Sequence, residues 1–248
     1  TRRMLPLETP LEEIGQPLRG LVTLALNTAA APLRRADDVD LLVDPAHAFA
    51  AMETAIERAT RQIHLMFYIW RDDETGRRWI DILCDKARAG VEVRLIYDEF
   101  GCLGTPATLF ERLRAAGGHV LAFGPMRLRY RPMTINFRNH RKMLIVDGDL
   151  GFFGGLNVGE EYLGRGGDHR KWSDLQVRIT GDAVLGLQAI FLEDWLAAHT
   201  RASDLAEDPV FARELAELLA RPTVHSRGPM LQIVPSGPDL TFIDAIAA

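Results

Sequence analysis

Short apolar runs alternate with amphipathic segments along most of the chain. Strands are predicted where β-branched and aromatic residues cluster between turn residues, and helices where apolar positions recur every three to four residues. The predicted strands are 39–43, 63–70, 91–98, 119–123, 140–146, 150–153 and 174–179, and the predicted helices are 46–61, 76–89, 106–116 and 183–199. This alternation predicts an α/β fold with a mixed, mostly parallel sheet and helices on both faces.

The same pattern divides the chain into four segments. Residues 1–38 are rich in proline and alanine and are predicted to form an extension over the domain surface. Residues 39–200 carry the strand and helix alternation, and 201–228 are predicted to be a polar helical linker. Residues 229–248 repeat the opening at residue 39, so they are predicted to begin a second, similar domain.

One histidine and one lysine lie two positions apart at the start of a predicted strand. Side chains alternate along a strand, so His140 and Lys142 should point to one side and Arg141 to the other. An ammonium group can hold a phosphate, and a neutral imidazole nitrogen can attack one. Such a pair suits phosphodiester chemistry, but by itself it is more often surface decoration, and only the positions that follow it predict a phosphodiester site.

The residues that follow extend this site. Asp147 lies in the turn that closes the predicted strand. Gly154 and Gly155 remove side-chain bulk where a ligand approaches the backbone. Asn157 precedes a helical turn predicted over 158–163, where its amide and unpaired backbone N–H groups would point at phosphate oxygens.

Charge is distributed unevenly. The net charge of −5 argues against general polyanion binding, yet residues 127–142 contain six cations and no acid. These cations are Arg127, Arg129, Arg131, Arg138, Arg141 and Lys142. The run predicts a local funnel for anions, with a solvated basic loop as the alternative. Only three of the 29 basic residues are lysine, which favours a specific need for a compact ammonium at position 142.

The spacing resembles the HKD motif of the phospholipase D superfamily. That motif is His-x-Lys, four residues, Asp, six residues, Gly-Gly or Gly-Ser, one residue and Asn, and residues 140–157 match it completely. From about residue 39 onward, the flanking text is similar to bacterial cardiolipin synthases. The similar segments are 63–70, 93–101, 136–142, 154–162, 172–174 and 191–195.

The resemblance implies which residues act. The implied catalytic residues are His140, Lys142, Asp147 and Asp174, and the implied phosphate ligands are Lys142, Gly155, Asn157 and Arg138. Asp147 is expected to order the turn rather than to touch substrate. Whether His140 is the nucleophile or the general acid stays open.

Several other residues near the predicted site are weaker candidates. Asp168 and Asp182 compete with Asp174 for the role of the acid that orients the histidine. His64 is interpreted as a core histidine. The remaining candidates are Tyr68, Asp98 and Glu99, near the C-terminal ends of predicted strands, and His169, in a Gly-rich loop where it would contact a head group.

The resemblance also implies an activity, a phosphatidyltransferase that makes cardiolipin from phosphatidylglycerol through a phosphohistidine. The expected partners are this phospholipid and the membrane surface, and nucleic acid is not favoured. The expected location is the bacterial inner membrane. Attachment is expected to be peripheral or through an anchor missing from this chain, because the chain starts at Thr1 and no apolar run could span a bilayer.

Proteins that resemble cardiolipin synthase carry two HKD motifs, whereas this chain has one. The chain is therefore expected to be the N-terminal half of a two-motif enzyme. The alternative is a single-motif phosphodiesterase or nuclease that builds its site as a homodimer. No cofactor and no metal are expected. A metal bound by Asp147, Asp149 and His140 is the alternative, and Cys84 and Cys102 are interpreted as reduced residues without metal spacing.

Overall fold

The computed structural model describes residues 14–29, 31–124, 139–165, 174–198 and 228–235. Helices occupy Gln16–Ala29 (α1), Pro45–Arg58 (α2), Glu74–Arg88 (α3), Ala107–Ala115 (α4) and Val184–Ala198 (α5), with a 3₁₀ helix at Glu160–Leu163. Strands occupy Leu33–Arg35 (β1), Asp38–Leu42 (β2), Gln62–Phe67 (β3), Glu92–Asp98 (β4), His119–Phe123 (β5), Met143–Val146 (β6), Leu150–Gly154 (β7), Gln176–Thr180 (β8) and Met230–Gln232 (β9).

Within the described residues, the central element is a seven-stranded sheet with the order β2-β8-β7-β6-β3-β4-β5. The mixed sheet and the α/β class confirm the prediction. The expected predominance of parallel pairs is wrong, because only β3–β4 and β4–β5 are parallel and the other four pairs are antiparallel. Parallel neighbours need a crossover helix, whereas β6 and β7 are joined by a tight turn that permits only the antiparallel arrangement.

Helices cover the sheet on both faces, as predicted. On one face, α2, α3 and α4 pack against side chains such as Leu65 and Leu95, and on the other face α5 packs against Met66 and Ile96. Neighbouring residues of β3 and β4 thus enter different cores, which explains why these strands read as continuous apolar runs. Full burial of each leucine or isoleucine contributes roughly 1.5–3 kcal/mol.

The predicted N-terminal extension contains regular structure in its described part. Helix α1 packs through Val22 on a separate two-stranded sheet, in which β1 pairs antiparallel with β9. The side chain of Gln232 donates hydrogen bonds to the carbonyl oxygens of Val22 and Ala31. The predicted linker to residue 227 lies outside the described residues, and the domain boundaries stay predictions. Within the described ranges, no helix has the length and apolar content required to cross a membrane.

Candidate active site

The predicted site residues gather at one edge of the central sheet. Strands β3, β4 and β7 end at this edge, and β6 and β8 begin there because they run antiparallel to β3 and β7 respectively. The edge therefore brings together residues from four places in the sequence. These residues are Tyr68 after β3, Asp98 at the end of β4, His140 and Lys142 before β6, and Gly155 and Asp174 between β7 and β8.

His140 and Lys142 point to the same place, although the strand predicted to contain them begins only at Met143. Nζ of Lys142 lies 2.8 Å from Nδ1 of His140 and donates a hydrogen bond to the His140 carbonyl oxygen at 2.6 Å. His140 is exposed, whereas Lys142 is only 4% exposed. The His140 imidazole is therefore accessible to a ligand that approaches from solvent, and the Lys142 ammonium lies directly behind it.

The ring of Tyr68 forms one wall of this pair. Its centroid lies 4.7 Å from that of the His140 ring and 5.4 Å from Nζ of Lys142. An ammonium over an aromatic face is stabilised by the ring quadrupole. Tyr68 thus holds both groups in a narrow space, which suits an ammonium better than a guanidinium.

Arg141 points to the opposite face of the sheet, as the alternation predicted. One of its guanidinium nitrogens lies 2.5 Å from each carboxylate oxygen of Asp194 on α5. This anchors the residue directly between the two active-site groups, so the segment cannot easily rotate.

The local environment sets the charge states of the pair. Partial burial, followed by the charge of Lys142, lowers the pKa of His140, and the carboxylates of Asp98 and Asp174 oppose this shift. Burial lowers the pKa of Lys142 to about 8, and the same two carboxylates again oppose it. Near neutral pH, the imidazole is therefore largely uncharged and the ammonium largely protonated.

Asp174 lies directly over Gly155. A Cβ atom added at Gly155 would fall 2.0 Å from Cγ of Asp174, so any larger residue here requires this carboxylate to move. The group that lies against Gly155 is therefore the Asp174 side chain. The sequence had predicted that a ligand would approach the backbone at this position. Within the described residues, Asp174 accepts a hydrogen bond from the Leu175 N–H at 2.8 Å and acts on His140 through its charge. Among the described residues, no hydrogen bond joins His140 to Asp174, and the role of Asp174 as the acid that orients the histidine stays a prediction.

Asn157 is buried and ties two segments together. Its Oδ1 accepts a hydrogen bond from the Ile69 N–H at 2.9 Å, and its Nδ2 donates to the Tyr162 hydroxyl at 2.7 Å. The predicted helical turn after it is the 3₁₀ helix Glu160–Leu163. One hydrogen of Nδ2 remains for a phosphate oxygen, so this role of Asn157 stays a prediction.

Asp147 lies at the other end of β6, about 17 Å from Lys142 along a strand that rises about 3.4 Å per residue. Its carboxylate accepts hydrogen bonds from the backbone N–H groups of Thr60, Arg61 and Gln62 and from the Thr60 hydroxyl. This position fits the ordering of a turn, and it does not fit contact with a phosphate at His140.

The position of Asp147 also bears on two other features. A metal shared by Asp147, Asp149 and His140 does not fit, because the two acids and the histidine lie at opposite ends of β6. An open groove of about 600 Å³ between α2 and β6–β8 lies at the Asp147 end, away from His140.

The remaining candidates are placed as follows. His64 is fully buried on the α5 face, where its ring stacks on Phe191 and its Nδ1 lies 2.8 Å from Nε2 of Gln188, so it is a core residue. Asp182 follows the far end of β8 and does not approach the site. Three candidates lie outside the described residues, and these are Arg138, Asp168 and His169.

Comparison with known proteins agrees with this fold. A family model described as "Cardiolipin synthase, PLD-like domain" matches residues 52–195, which is more than half of the 248-residue chain. A mixed sheet with an HKD motif at its edge defines a phospholipase D-like domain. The chain belongs to the cardiolipin synthase family of such domains.

Similar proteins include curated bacterial cardiolipin synthases. The chain is 42% identical over 182 residues to that of Geobacillus sp. (strain WCH70), covering 73% of the chain and 36% of the relative. It is 36% identical over 232 residues to that of Halalkalibacterium halodurans, covering 94% of the chain and 44% of the relative. The chain therefore spans less than half the length of these relatives.

Solved structures show the same fold at low identity. The phosphatidylserine synthase of Haemophilus influenzae Rd KW20 superposes with a TM-score of 0.53 and 16% identity, covering 87% of this chain and 51% of that one. NucT from Helicobacter pylori superposes with a TM-score of 0.50 and 15% identity, covering 64% of this chain and 96% of that one.

Proposed function

We propose that this chain is the N-terminal half of a phosphatidyltransferase that makes cardiolipin from two phosphatidylglycerol molecules. The observation that carries the proposal is the pairing of an exposed imidazole with a buried ammonium, 2.8 Å apart, in a domain of the cardiolipin synthase family. The imidazole supplies a nitrogen for attack or protonation, and the ammonium supplies the positive charge that a phosphodiester requires.

The first step is a displacement at phosphorus. One histidine nitrogen forms a bond to the phosphorus of phosphatidylglycerol, and the phosphorus bond to the glycerol oxygen breaks. A histidine of the second motif donates its proton to that oxygen, so glycerol leaves. Lys142, with the Nδ2 hydrogen of Asn157, stabilises the charge on the equatorial oxygens.

The second step reverses these roles. The histidine that gave its proton now removes one from the terminal hydroxyl of a second phosphatidylglycerol. That oxygen attacks the phosphohistidine, the bond between nitrogen and phosphorus breaks, and cardiolipin forms. Two phosphatidylglycerol molecules thus yield one cardiolipin and one glycerol, with no net change in protons.

The proposed enzyme also requires a second histidine and access to a membrane. The opposing histidine comes from a second HKD half, which the longer relatives have room to contain because the chain covers only 36–44% of their lengths. Because the substrate is a membrane lipid, we place the enzyme at the bacterial inner membrane, bound peripherally or through an anchor outside this chain.

The test is lipid product analysis with phosphatidylglycerol vesicles. The chain alone, at several concentrations, should form essentially no cardiolipin, and addition of the polypeptide with the second motif should start its formation. A rate that rises with the square of the chain concentration, without that addition, would support a single-motif homodimer instead. Hydrolysis of DNA or RNA in preference to lipid would support the nuclease alternative.

A further inference from the structure

Asp98, at the end of β4, is a buried carboxylate whose two oxygens are both used. Asp98 is only 3% exposed to solvent. Oδ1 accepts hydrogen bonds from the N–H groups of Phe100 and Gly101 at 3.0 and 2.9 Å. Oδ2 accepts one from the N–H of Asn139 at 3.0 Å, which joins β4 to the segment that enters the active site.

Asn139 continues this connection on both sides of the histidine. Its Oδ1 accepts a hydrogen bond from the Arg141 N–H at 3.0 Å, and its Nδ2 lies 3.1 Å from Sδ of Met66 on β3. The residues before and after His140 are therefore both held, and the first of them is held by Asp98. A chain of buried hydrogen bonds of this kind fixes the direction in which His140 leaves the backbone.

Asp98 also contributes charge to the site. Within the described residues, the charged and titratable groups that face His140 are Lys142, Tyr68, Asp98 and Asp174. Both carboxylates favour the protonated forms of His140 and Lys142, against burial, which favours the neutral forms. Because Asp98 is more deeply buried than Asp174, its field is less screened by water.

We infer that Asp98 is a positioning residue of this active site, which fixes the segment carrying His140 and supplies negative charge behind it. Its effect on turnover rests on the proposed function, whereas its effect on His140 does not. Asp98 comes from a strand whose sequence lies 42 residues before His140, so only the folded sheet brings the two together.

The experiment is an NMR titration of the His140 ring in the chain and in two variants, with His140→Ala identifying the signal. Asp98→Asn keeps the size of the side chain, removes the charge and replaces one accepting oxygen by an NH2 group that can only donate. Asp98→Ser can still accept from the loop N–H groups, which keeps the experiment informative if the asparagine variant fails to fold. In either folded variant, the midpoint of the His140 titration should fall by about half a pH unit or more.

Asp147→Asn is the matched control. Asp147 also accepts several backbone N–H groups, but at the far end of β6, so its variant should lose stability while the His140 midpoint stays in place. An unchanged midpoint in a folded Asp98 variant would overturn the inference, and so would an equal fall in the control.

Turnover gives a second readout in the two-motif enzyme. Asp98→Asn should lower kcat roughly tenfold to a hundredfold with little change in KM, and move the pH–rate profile to lower pH. The Asp98 variant could move the midpoint of the His140 titration even though the parent enzyme forms no cardiolipin. That result would support the role of Asp98 and reject the proposed lipid chemistry. A normal kcat at every pH would reject the positioning role.

Discussion

Nζ of Lys142 lies 2.8 Å from Nδ1 of His140. A protonated lysine can only donate, so Nδ1 must accept, and the single proton of the neutral imidazole then sits on Nε2. In this arrangement Nε2 donates hydrogen bonds and does not attack phosphorus. If His140 is the nucleophile, a phosphate must first draw Lys142 away, which frees Nδ1 to take the proton.

This relationship predicts the tautomer of the resting chain. Nitrogen NMR of the His140 ring, measured above the pKa of His140, should show the proton on Nε2. Addition of a soluble short-chain phosphatidylglycerol should change the population toward the form with the proton on Nδ1. A ring that already carries its proton on Nδ1 without ligand would show that Lys142 does not control it.

Lys142→Arg should remove most activity of the two-motif enzyme, although the positive charge is kept. The wide guanidinium does not fit between His140 and the Tyr68 ring as an ammonium does. The measurement is the rate of cardiolipin formation. Lys86→Arg is the control, because Nζ of Lys86 donates a hydrogen bond to the Ala59 carbonyl oxygen, away from the site. This variant should form cardiolipin at a rate near that of the parent. Normal activity in Lys142→Arg would reduce this lysine to a simple counter-charge.

Gly155→Ala should displace the Asp174 carboxylate, since the new Cβ would fall within about 2 Å of it. We expect stability to fall by about 1–3 kcal/mol and turnover to fall roughly tenfold to a hundredfold. The midpoint of the His140 titration should also move to lower pH, because the Asp174 carboxylate, which favours the protonated imidazole, has moved. Gly104→Ala is the matched control, since its Cβ meets nothing within 4 Å. Equal behaviour of the two variants would contradict the contact.

Asp147→Ala should lower stability by about 2–4 kcal/mol near neutral pH, because several backbone N–H groups lose their acceptor. Burial would raise the pKa of Asp147, but the hydrogen bonds from Gln62, Arg61 and Thr60 outweigh it and lower that pKa. Because the pKa of Asp147 is lower in the folded protein than in the unfolded one, its carboxylate stabilises the fold at pH values above the unfolded pKa. This stabilisation is lost as the pH falls through the folded pKa. Urea unfolding should therefore show the difference between parent and variant shrinking below about pH 4. A difference that is constant with pH would contradict this origin.

The sequence predicts much of the active-site strand pair because local periodicity determines it. His140 and Lys142 share a direction even though β6 begins one residue after them, since an extended backbone keeps the two-residue alternation. The turn at Asp147 is equally local. These features need no knowledge of other segments.

Features that depend on distant segments could not be predicted. Helix α1 lies in a proline- and alanine-rich stretch, and it is stabilised by contact with β1 and Met230, about 200 residues later. The close approach to Gly155 comes from Asp174, and the support of Asn139 comes from Asp98. Strand direction is likewise a property of connections, which explains the overestimate of parallel pairs.

The most direct test of the account compares the parent two-motif enzyme with its His140→Ala variant on phosphatidylglycerol vesicles, with Asp174→Asn alongside. Cardiolipin and glycerol are quantified together. The parent should form them in equal amounts, and a folded His140→Ala enzyme should form neither. Asp174→Asn should slow the reaction roughly tenfold to a hundredfold, because it removes a carboxylate whose charge acts on His140. Near-normal cardiolipin formation by pure His140→Ala enzyme would contradict the proposed mechanism.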